Sequence, residues 1–273
     1  MALVWEGERV VGAADCQLPQ AENRAVLFLD LVVHPEFRCR GIGSRLLNEV
    51  DAIAQRHDRT LIEVQVERDA AGFRYLTKRG HQPGATSIRS ICKLSGRATA
   101  SLADGYELVQ WRDFAPEEIV DDVAALQSRL MVDAPSGDLT VEQQVYDAER
   151  VRRQEKSEHA RGHRSYSTAA RHVATGHIVA RTKLAFETDD DTHARQRITI
   201  VEPAHRGRRL GLAVKSANHA YAKAQEPALQ VVEAWNSEDN THMRAVNAAL
   251  GFEPVDRWSV FQLPVPATSG ARA

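Results

Sequence analysis

The sequence has few cysteines, few aromatic residues and no long hydrophobic run. Three of its 273 residues are cysteine, at positions 16, 39 and 92, so one must stay unpaired in any disulfide scheme. Their spacing is not that of a metal site. We therefore expect a reducing compartment, the cytoplasm, and no bound metal. No window reaches the roughly 18 apolar residues of a membrane span, and we expect neither a membrane segment nor a secretory signal.

The chain also lacks an excess of charge of one sign. It has 35 Lys+Arg against 37 Asp+Glu, a net charge of -2. This balance argues against a nucleic-acid partner, because such proteins are usually basic. The basic run 206–209 is short and has no interleaved aromatic side chain for stacking on bases. With 43% hydrophobic and 26% charged residues, the composition is that of a globular protein with one large domain or two modest ones.

Alternating strand and helix patterns run through the chain twice. In the first half, apolar alternation predicts strands at 3–5, 9–17, 25–33, 61–66 and 88–94, and helical spacing predicts helices from 42 and over 69–79. In the second half, the same criteria predict strands at 106–111, 165–173, 178–186, 197–201, 229–235 and 258–263, and helices at 115–131, 141–159, 210–224 and 240–249.

The two halves also align in sequence. Residues 33–43 (VHPEFRCRGIG) match residues 201–211 (VEPAHRGRRLG) at an offset of 168, and the later glycines Gly80 and Gly251 match at an offset of 171. Such a nearly constant offset predicts a duplicated domain. We place a first domain at 1–95, a linker at 96–104, a second domain at 105–265 and a flexible tail at 266–273. The first domain then lacks a counterpart of the second domain's leading strand and two helices.

The repeated block has the chemistry of a phosphate site. A strand that runs through a basic, glycine-containing turn into a helix presents free backbone N–H groups at the positive end of that helix. Gly41 and Gly43 permit close approach of the backbone, and Arg38 and Arg40 add charge. A dinucleotide fingerprint would need a third glycine where Leu46 stands, so that alternative is weak.

These motifs resemble the GNAT superfamily of acyl-CoA-dependent N-acetyltransferases over nearly the whole chain, as a tandem of two domains. The resemblance implies an α/β (α+β) fold in which each domain has a mixed, mainly antiparallel central sheet flanked by helices. It also implies acetyl-CoA as co-substrate, with its pyrophosphate on the two turns and its pantetheine along the strands that precede them. The implied cofactor-binding residues are Val33, Arg38, Cys39, Arg40, Gly41, Ile42, Gly43, Val201, Arg206, Gly207, Arg208, Arg209, Leu210, Gly211 and Asn236.

Catalytic residues are harder to assign. Glu233 and Glu202, late on strands or just after them, are candidates for removing a proton through water, with exposed or ion-paired carboxylates as the alternative. Asn240 and Asn236 either orient coenzyme A or water, or cap the late helix. Many relatives have a tyrosine acid where this chain has Asn247 and, in the first half, Leu76. The adjacent Tyr75 is rotated about 100° around the helix, and we expect it in the core.

We therefore predict an acetyl-CoA-dependent N-acetyltransferase that moves an acetyl group to a primary amine by direct attack in a ternary complex. The acceptor is expected to be a small molecule, with no nucleic-acid or membrane partner, and an oligomer is compatible with the sequence. We assign catalysis to the second domain, because in the family the leading strand and helices wall the acceptor site. The reverse assignment stays open, since the first turn has the better glycines. The alternative function is a non-catalytic acyl-CoA-binding or regulatory tandem module.

Overall fold

The computed structural model describes residues 1–94, 100–133 and 137–266, and its chain divides into two compact units. Unit 1 comprises Met1–Ser87, Ser136–Glu142 and Arg257–Ala273, and unit 2 comprises Ile88–Pro135 and Gln143–Asp256. The chain therefore contributes to each unit more than once, whereas the sequence-based domains were consecutive. The domain boundaries stay a prediction, with most of the tail and residues 95–99 of the linker outside the described residues.

Unit 1 is a sheet with helices packed on it. Its strands are β1 (Ala2–Glu6), β2 (Arg9–Gln17), β3 (Val26–Val33), β4 (Leu61–Glu67) and the later part of β11 (Glu253–Pro264), in that spatial order. All neighbouring pairs are antiparallel except β3 with β4. Helix α1 (Ile42–Arg56) packs on β1, β2 and β3, and α2 (Ala71–Lys78) packs on β4.

Unit 2 has the same plan with more helices. Its strand order is the later part of β5 (Ala85–Lys93), β10 (Val231–Ser237), β9 (His193–Val201), β8 (Ile178–Phe186), β7 (Arg164–His172) and β6 (Tyr106–Arg112). Strands β9 and β10 are parallel, whereas β6 to β9 are antiparallel. Its helices are α3 (Val120–Asp133), α4 (Ala148–Ala160), α5 (Leu210–Gln225) and α6 (Thr241–Ala249). The predicted mixed, mainly antiparallel sheets flanked by helices are confirmed.

Both faces of the sheet in unit 2 are covered. All nine residues of β8 are buried, because α5 packs on one face and α3 with α4 on the other. In unit 1 the matching strand β2 has buried, half-buried and exposed residues, so it is less covered than β8. The face of β8 toward α3 and α4 is therefore enclosed, and a site can form there.

Among the predicted helices, α4 begins furthest from its expected start. The helix predicted at 141–159 begins at Ala148, because Asp147 caps it by accepting a hydrogen bond from the backbone N–H of Arg150 (2.7 Å). Residues 140 and 142 lie instead in unit 1, where the N–H of Thr140 donates to Gln262 (2.8 Å) and Glu142 bonds with Asn23. Within the described residues, no helix is both long and apolar enough to cross a membrane.

Candidate functional site

The two strand-to-helix turns have the same backbone conformation. In unit 1 Cys39 and Gly41 have φ of 60° and 81°, and in unit 2 Gly207 and Arg209 have φ of 78° and 58°. Each turn thus places one glycine and one other residue in the left-handed region, in opposite order. A Cβ at Gly41 or Gly207 would meet nothing within 4 Å, so these glycines serve the backbone conformation rather than internal packing.

Each turn leads into a helix. The first backbone N–H groups of that helix have no carbonyl one turn earlier in the helix to accept a hydrogen bond from them. The first such bond inside α1 runs from Arg45 N to Gly41 O (3.0 Å), and in α5 from Ala213 N to Arg209 O (3.0 Å). The guanidinium groups of Arg38 and Arg206 are fixed alike, since each Nε donates at 3.1 Å to the carbonyl of the last strand residue. Free N–H groups beside exposed arginines make each turn a suitable anion cradle.

Beside each turn, a pair of parallel strands separates. The pairing of β9 with β10 covers four residue pairs, from His193–Val231 to Gln196–Ala234, and that of β3 with β4 likewise covers four. Beyond the last pair, toward the turn, the two strands continue without pairing to each other.

A β-bulge distinguishes unit 2 from unit 1 at this point. Thr182 of β8 pairs with Thr199 of β9, but Leu184 pairs with Gln196, so β9 has one extra residue there. In unit 1 the pairing of β2 with β3 has no such shift. The carbonyl of Ile198 accepts hydrogen bonds from the Thr182 hydroxyl (3.1 Å) and the Gln196 amide (3.2 Å). Bulges of this kind redirect side chains and often lie next to active sites.

The bulge lies in the wall of a cavity of about 390 Å³ within unit 2. Helices α3 and α4 form one side of this cavity, and strands β8 and β9, with Trp235 of β10, form the other. Arg197 and Ile198, the neighbours at the bulge, both line it. Its volume is in the range of small-molecule sites. The charged residues of the lining are Glu155, Glu158, Arg181, Lys183, Arg195 and Arg197.

Most of these charges are paired. Lys183 Nζ lies 2.6 Å from Glu158 Oε2, and the Glu187 carboxylate lies within 3.5 Å of Arg195 and 3.2 Å of Arg197. Burial tends to raise the pKa of Glu158, but the ammonium of Lys183 outweighs it and holds that pKa below its usual value. The pKa of Lys183 is lowered by burial and by its neighbour Arg181.

Arg181 differs from the other charged lining residues. Its residue is 6% exposed, and no described residue gives its guanidinium a hydrogen bond or an ion pair within 4 Å. Its Nε is buried and unsatisfied, and its guanidinium carbon lies 5.6 Å from the centre of the Trp111 ring. Burial lowers its pKa to about 10, although the charges of Glu155 and Glu158 act in the opposite direction.

Comparisons with known proteins agree with this geometry. A family model described as an acetyltransferase (GNAT) domain matches residues 1–78. A tandem GNAT protein from the clavulanic acid biosynthesis pathway is 31% identical, with a TM-score of 0.82, over 97% of this chain and 82% of that one. The chain belongs to the GNAT superfamily, as a tandem GNAT protein.

Two further structures share the fold at low sequence identity. A GCN5-related N-acetyltransferase from Sphaerobacter thermophilus is 17% identical, with a TM-score of 0.71, over 95% of this chain and 78% of that one. One from Kribbella flavida is 13% identical, with a TM-score of 0.57, over 88% of this chain and 81% of that one. The GNAT resemblance inferred from the repeated turn is confirmed by the 31% identical tandem protein and the family match.

In this tandem GNAT protein, Glu233 does not line the cavity. Its carboxylate accepts from Arg89 (3.2 Å) and from the indole N–H of Trp235 (2.5 Å), and Arg195 and His193 lie within 4.0 Å. All these partners belong to unit 2. Glu233 therefore has the ion-paired role that the sequence analysis named as its alternative, and its function as a base stays a prediction without a contact that favours it.

Three of the other candidates, Asn240, Asn236 and Glu202, are also placed. Asn240 caps α6, since its side-chain oxygen accepts from Met243 N at 3.1 Å. Asn236 Oδ1 accepts from Asn247 Nδ2 at 2.6 Å, and Lys215 in turn donates to Asn247. Capping was one of the two roles considered for both asparagines, and Asn240 has it. Glu202 follows β9, half-buried, and is not among the residues that line the cavity.

Apart from Asn236, which lies on β10, the predicted coenzyme A residues of both halves lie at the cradles. Val33 and Val201 end their strands, and the residues that follow form the turns and first helical residues described above. In unit 2, Arg206 contacts Asp133 (2.6 Å) and Arg208 donates to the Tyr106 hydroxyl (3.0 Å). Their binding of coenzyme A stays a prediction.

Tyr75 differs from what we expected. Its ring packs against the core of unit 1, but its hydroxyl lies 3.0 Å from Ser44 Oγ in the first turn of α1, and Arg79 lies over its ring. Its polar end is therefore next to the helix start that follows the first turn. We expected Tyr75 in the core because it is rotated by about 100° around the helix from the position of the family's acid. Its hydroxyl instead reaches the start of α1, because α2 packs close to the first turn.

Sequence reasoning missed the charged lining of the cavity. Arg181 and Lys183 alternate on a strand whose other residues are mostly apolar, and Glu155 and Glu158 are one helical turn apart on α4. The sequence did contain a signal for this lining, namely two cationic residues within a mostly apolar strand. Fully buried strands rarely contain such residues, so their presence indicates a polar site. The described residues hold no cluster of three or more His, Cys, Asp or Glu suited to a metal.

Proposed function

We propose that unit 2 transfers an acetyl group from acetyl-CoA to the primary amine of a small molecule held in the cavity. The observation that carries this proposal is the bulge in β9. It lies where the pairing with β10 stops, between the anion cradle at α5 and the cavity, so it joins a place for the acyl donor to a place for the acceptor.

The chain's residues would divide the work as follows. The N–H groups at the start of α5, with Arg208 and Arg209, would hold the pyrophosphate. The backbone of β9 near Val201 would hold the pantetheine and polarise the thioester carbonyl, as the family resemblance implies. The amine nitrogen bonds to the carbonyl carbon and the carbon–sulfur bond breaks. The products are the N-acetylated amine and coenzyme A, whose thiolate gains a proton while the nitrogen loses one.

The proton transfers need no tyrosine acid. Asn247, at the expected acid position, is an amide that does not ionise, and it is engaged with Lys215 and Asn236. We assign protonation of the thiolate to solvent. On the acceptor side, Glu158 lines the cavity as an ionised carboxylate whose pKa Lys183 holds below its usual value. The acceptor's ammonium group would lose its proton to water before the attack.

For unit 1 we propose acyl-CoA binding without catalysis. Its turn matches that of unit 2, which favours binding, whereas β3 has no bulge and α1 and α2 are the only α-helices among its described residues. If unit 2 also proved inactive, the whole protein would be the non-catalytic acyl-CoA-binding module considered above. The cytoplasm remains the predicted location, in keeping with three unpaired cysteines.

Two matched substitutions test the assignment. Gly43 and Gly211 are each the second residue of their helix, and a Cβ at either would make ordinary contacts of 3.8 and 3.6 Å with a valine. Glutamate at this position suits a helix N-terminus but repels a bound pyrophosphate. We expect Gly211→Glu to lower the rate of thiol release from acetyl-CoA at least about 100-fold and Gly43→Glu to change it less than about 2-fold.

The measurement is thiol release with a panel of primary amines, beside calorimetric titration of acetyl-CoA into both variants. Each variant should lose one binding event. Loss of turnover in Gly43→Glu alone would assign catalysis to unit 1. Binding of acetyl-CoA without thiol release on any amine would favour the non-catalytic module.

A further inference from the structure

The side chain that stands out in the cavity is Arg181. Each of the other charged lining residues has an oppositely charged group within 4.0 Å, Glu155 being paired with Arg152 at 2.8 Å. Arg181 has none among the described residues, although it is 6% exposed. The two carboxylates whose charges act on it, Glu155 and Glu158, are bound to other cations.

An unpaired buried guanidinium is costly, because neither water nor a counter-ion replaces the hydration that it loses. Proteins usually remove such a cost by pairing the charge or by replacing the residue. Trp111 provides a ring face at 5.6 Å, but it cannot accept a hydrogen bond from the buried Nε. The arrangement is therefore one in which the missing partner comes from outside the chain.

We propose that Arg181 binds a carboxylate of the acceptor, so that the substrate of this protein is a small amine that also carries a carboxylate. A planar guanidinium presents paired N–H donors that match the two oxygens of a carboxylate. This inference rests on the proposed function, since it names the acceptor class for the same site.

The charges around Arg181 leave it as the place for a substrate carboxylate. Lys183 and Arg197 lie on the same wall but are paired with Glu158 and Glu187, and Glu155 is paired with Arg152. A carboxylate that enters the cavity therefore meets an unpaired cation at Arg181 among the described lining residues. The pyrophosphate of coenzyme A has its own cradle at the start of α5, and it is not the anion assigned to Arg181.

The test compares ligands that differ only in the anionic group. Glycine, β-alanine and phenylalanine are each paired with the corresponding amide, which keeps the amine and replaces the carboxylate by a neutral group. Their effect on the melting temperature and their calorimetric Kd are measured on the full chain at constant ionic strength, with coenzyme A in place of acetyl-CoA so that no acetyl transfer occurs. We expect at least one acid to bind about 30-fold or more tightly than its amide, as for a buried charge pair.

Arg181→Met should abolish that preference without unfolding the protein, because a buried unpaired charge is replaced by an apolar side chain of similar length. Arg181→Lys should retain part of it, since the charge remains but the paired donors are lost. The matched control is Arg171→Met on β7, where the arginine contacts Glu107 at the surface and does not line the cavity. It should bind like the wild type.

Three outcomes would overturn the proposal. One is equal binding of acid and amide by the wild type, which includes no binding of either. Another is a preference that survives Arg181→Met. The last is loss of acetyl-CoA affinity in Arg181→Met, which would assign Arg181 to the donor. Acetyl-CoA titration and thiol release report separately on the proposed function, so a protein that binds carboxylates but releases no thiol would contradict only that function.

Discussion

Unit 1 and unit 2 share a strand-to-helix turn, yet the strands beside it carry opposite chemistry. Ala13 of β2 pairs with the residue before Val33, and Arg181 of β8 pairs with the residue before Val201, so the two positions are equivalent. Two residues later, unit 1 has the exposed Asp15 and unit 2 the buried Lys183. The anion cradle has therefore been kept in both repeats, whereas the cavity wall belongs to one.

This difference separates the parts of the domain that a short stretch of sequence specifies from those that need several distant elements. A cradle needs a turn and a helix start, and about ten residues specify it. An acceptor cavity needs a second layer of helices over the sheet, together with a strand irregularity that directs side chains into it. Among the described residues, unit 2 has both, which explains why equal turns need not mean equal activity.

The largest effect is expected from making β9 resemble β3. Deletion of Arg197 would remove the extra residue of the bulge and restore a regular ladder with β8, as in unit 1. We expect the rate of thiol release to fall at least about 100-fold, the size of effect seen when a donor to the developing oxyanion is lost. The measurement is steady-state thiol release, with circular dichroism as the control for folding. Retained turnover would mean that the bulge does not serve catalysis.

A second comparison concerns the buried ion pair of Lys183 with Glu158. Glu158→Gln leaves Lys183 buried beside Arg181 without its carboxylate, and we expect the free energy of unfolding to fall by about 3 kcal/mol. Asp15→Asn, at the position in unit 1 that matches Lys183, should change it by less than about 0.5 kcal/mol, because Asp15 is exposed. Chemical denaturation at pH 7 measures both.

The pH dependence gives the same pair a second readout. The folded pKa of Glu158 lies below its unfolded value, so its stabilising contribution is complete above the ordinary carboxyl range and is lost as the pH falls through the folded pKa. Glu158→Gln should therefore cost less at pH 3 than at pH 7. The double variant with Lys183→Met should recover most of the stability, and failure to recover it would mean that the pair is not the cause.

A third comparison concerns Lys215, which matches the half-buried Leu47 of unit 1 at the offset of 168. Burial lowers the pKa of Lys215 to about 7. The unfolded chain therefore holds more protons above that value, and stability should rise from pH 7 toward the usual lysine range by at most about 1.4 kcal/mol per pH unit. Lys215→Leu should flatten this rise, as measured by denaturation at pH 6 to 9.

His219 provides the control for that measurement. Burial, together with the charge of Lys215, lowers the pKa of His219 to about 3. Its effect on the free energy of unfolding is therefore confined to the pH range between that value and the ordinary histidine pKa, and stability above pH 7 does not depend on it. His219→Gln should accordingly alter stability between pH 3 and 6.5 but keep the rise above pH 7. A rise that persists in Lys215→Leu would assign it to another group.

The sequence was sufficient for the repeat, the turn and the mixed, mainly antiparallel sheets, because these depend on local patterns of glycine, charge and apolar spacing or on the family resemblance that those patterns carry. It did not predict that β5 would join the sheet of unit 2 and β11 that of unit 1, since strand pairing between distant segments is not a local property. It was insufficient for the cavity. The bulge at Ile198 depends on pairing with β8, and the lining brings together Glu155, Arg181 and Arg195 from elements far apart in sequence. Glu233 was selected by its place on a strand, whereas its partner Arg89 comes from 144 positions earlier. Periodicity carries no information on such contacts.

The smallest effect concerns the late helices α2 and α6. Asn240 caps α6 through Met243 N (3.1 Å), whereas the N-cap of α2 is Ala70, whose side chain makes no such bond. We expect Asn240→Ala to lower the free energy of unfolding by about 1 kcal/mol, and Ala70→Asn to raise it by about the same amount or less. If Asn240 only caps, its alanine variant keeps kcat and KM for acetyl-CoA within about 2-fold of the wild type at a temperature well below its Tm. A larger loss of kcat without a matching loss of stability would restore Asn240 to the catalytic residues, and would make the difference between the two helices functional rather than structural.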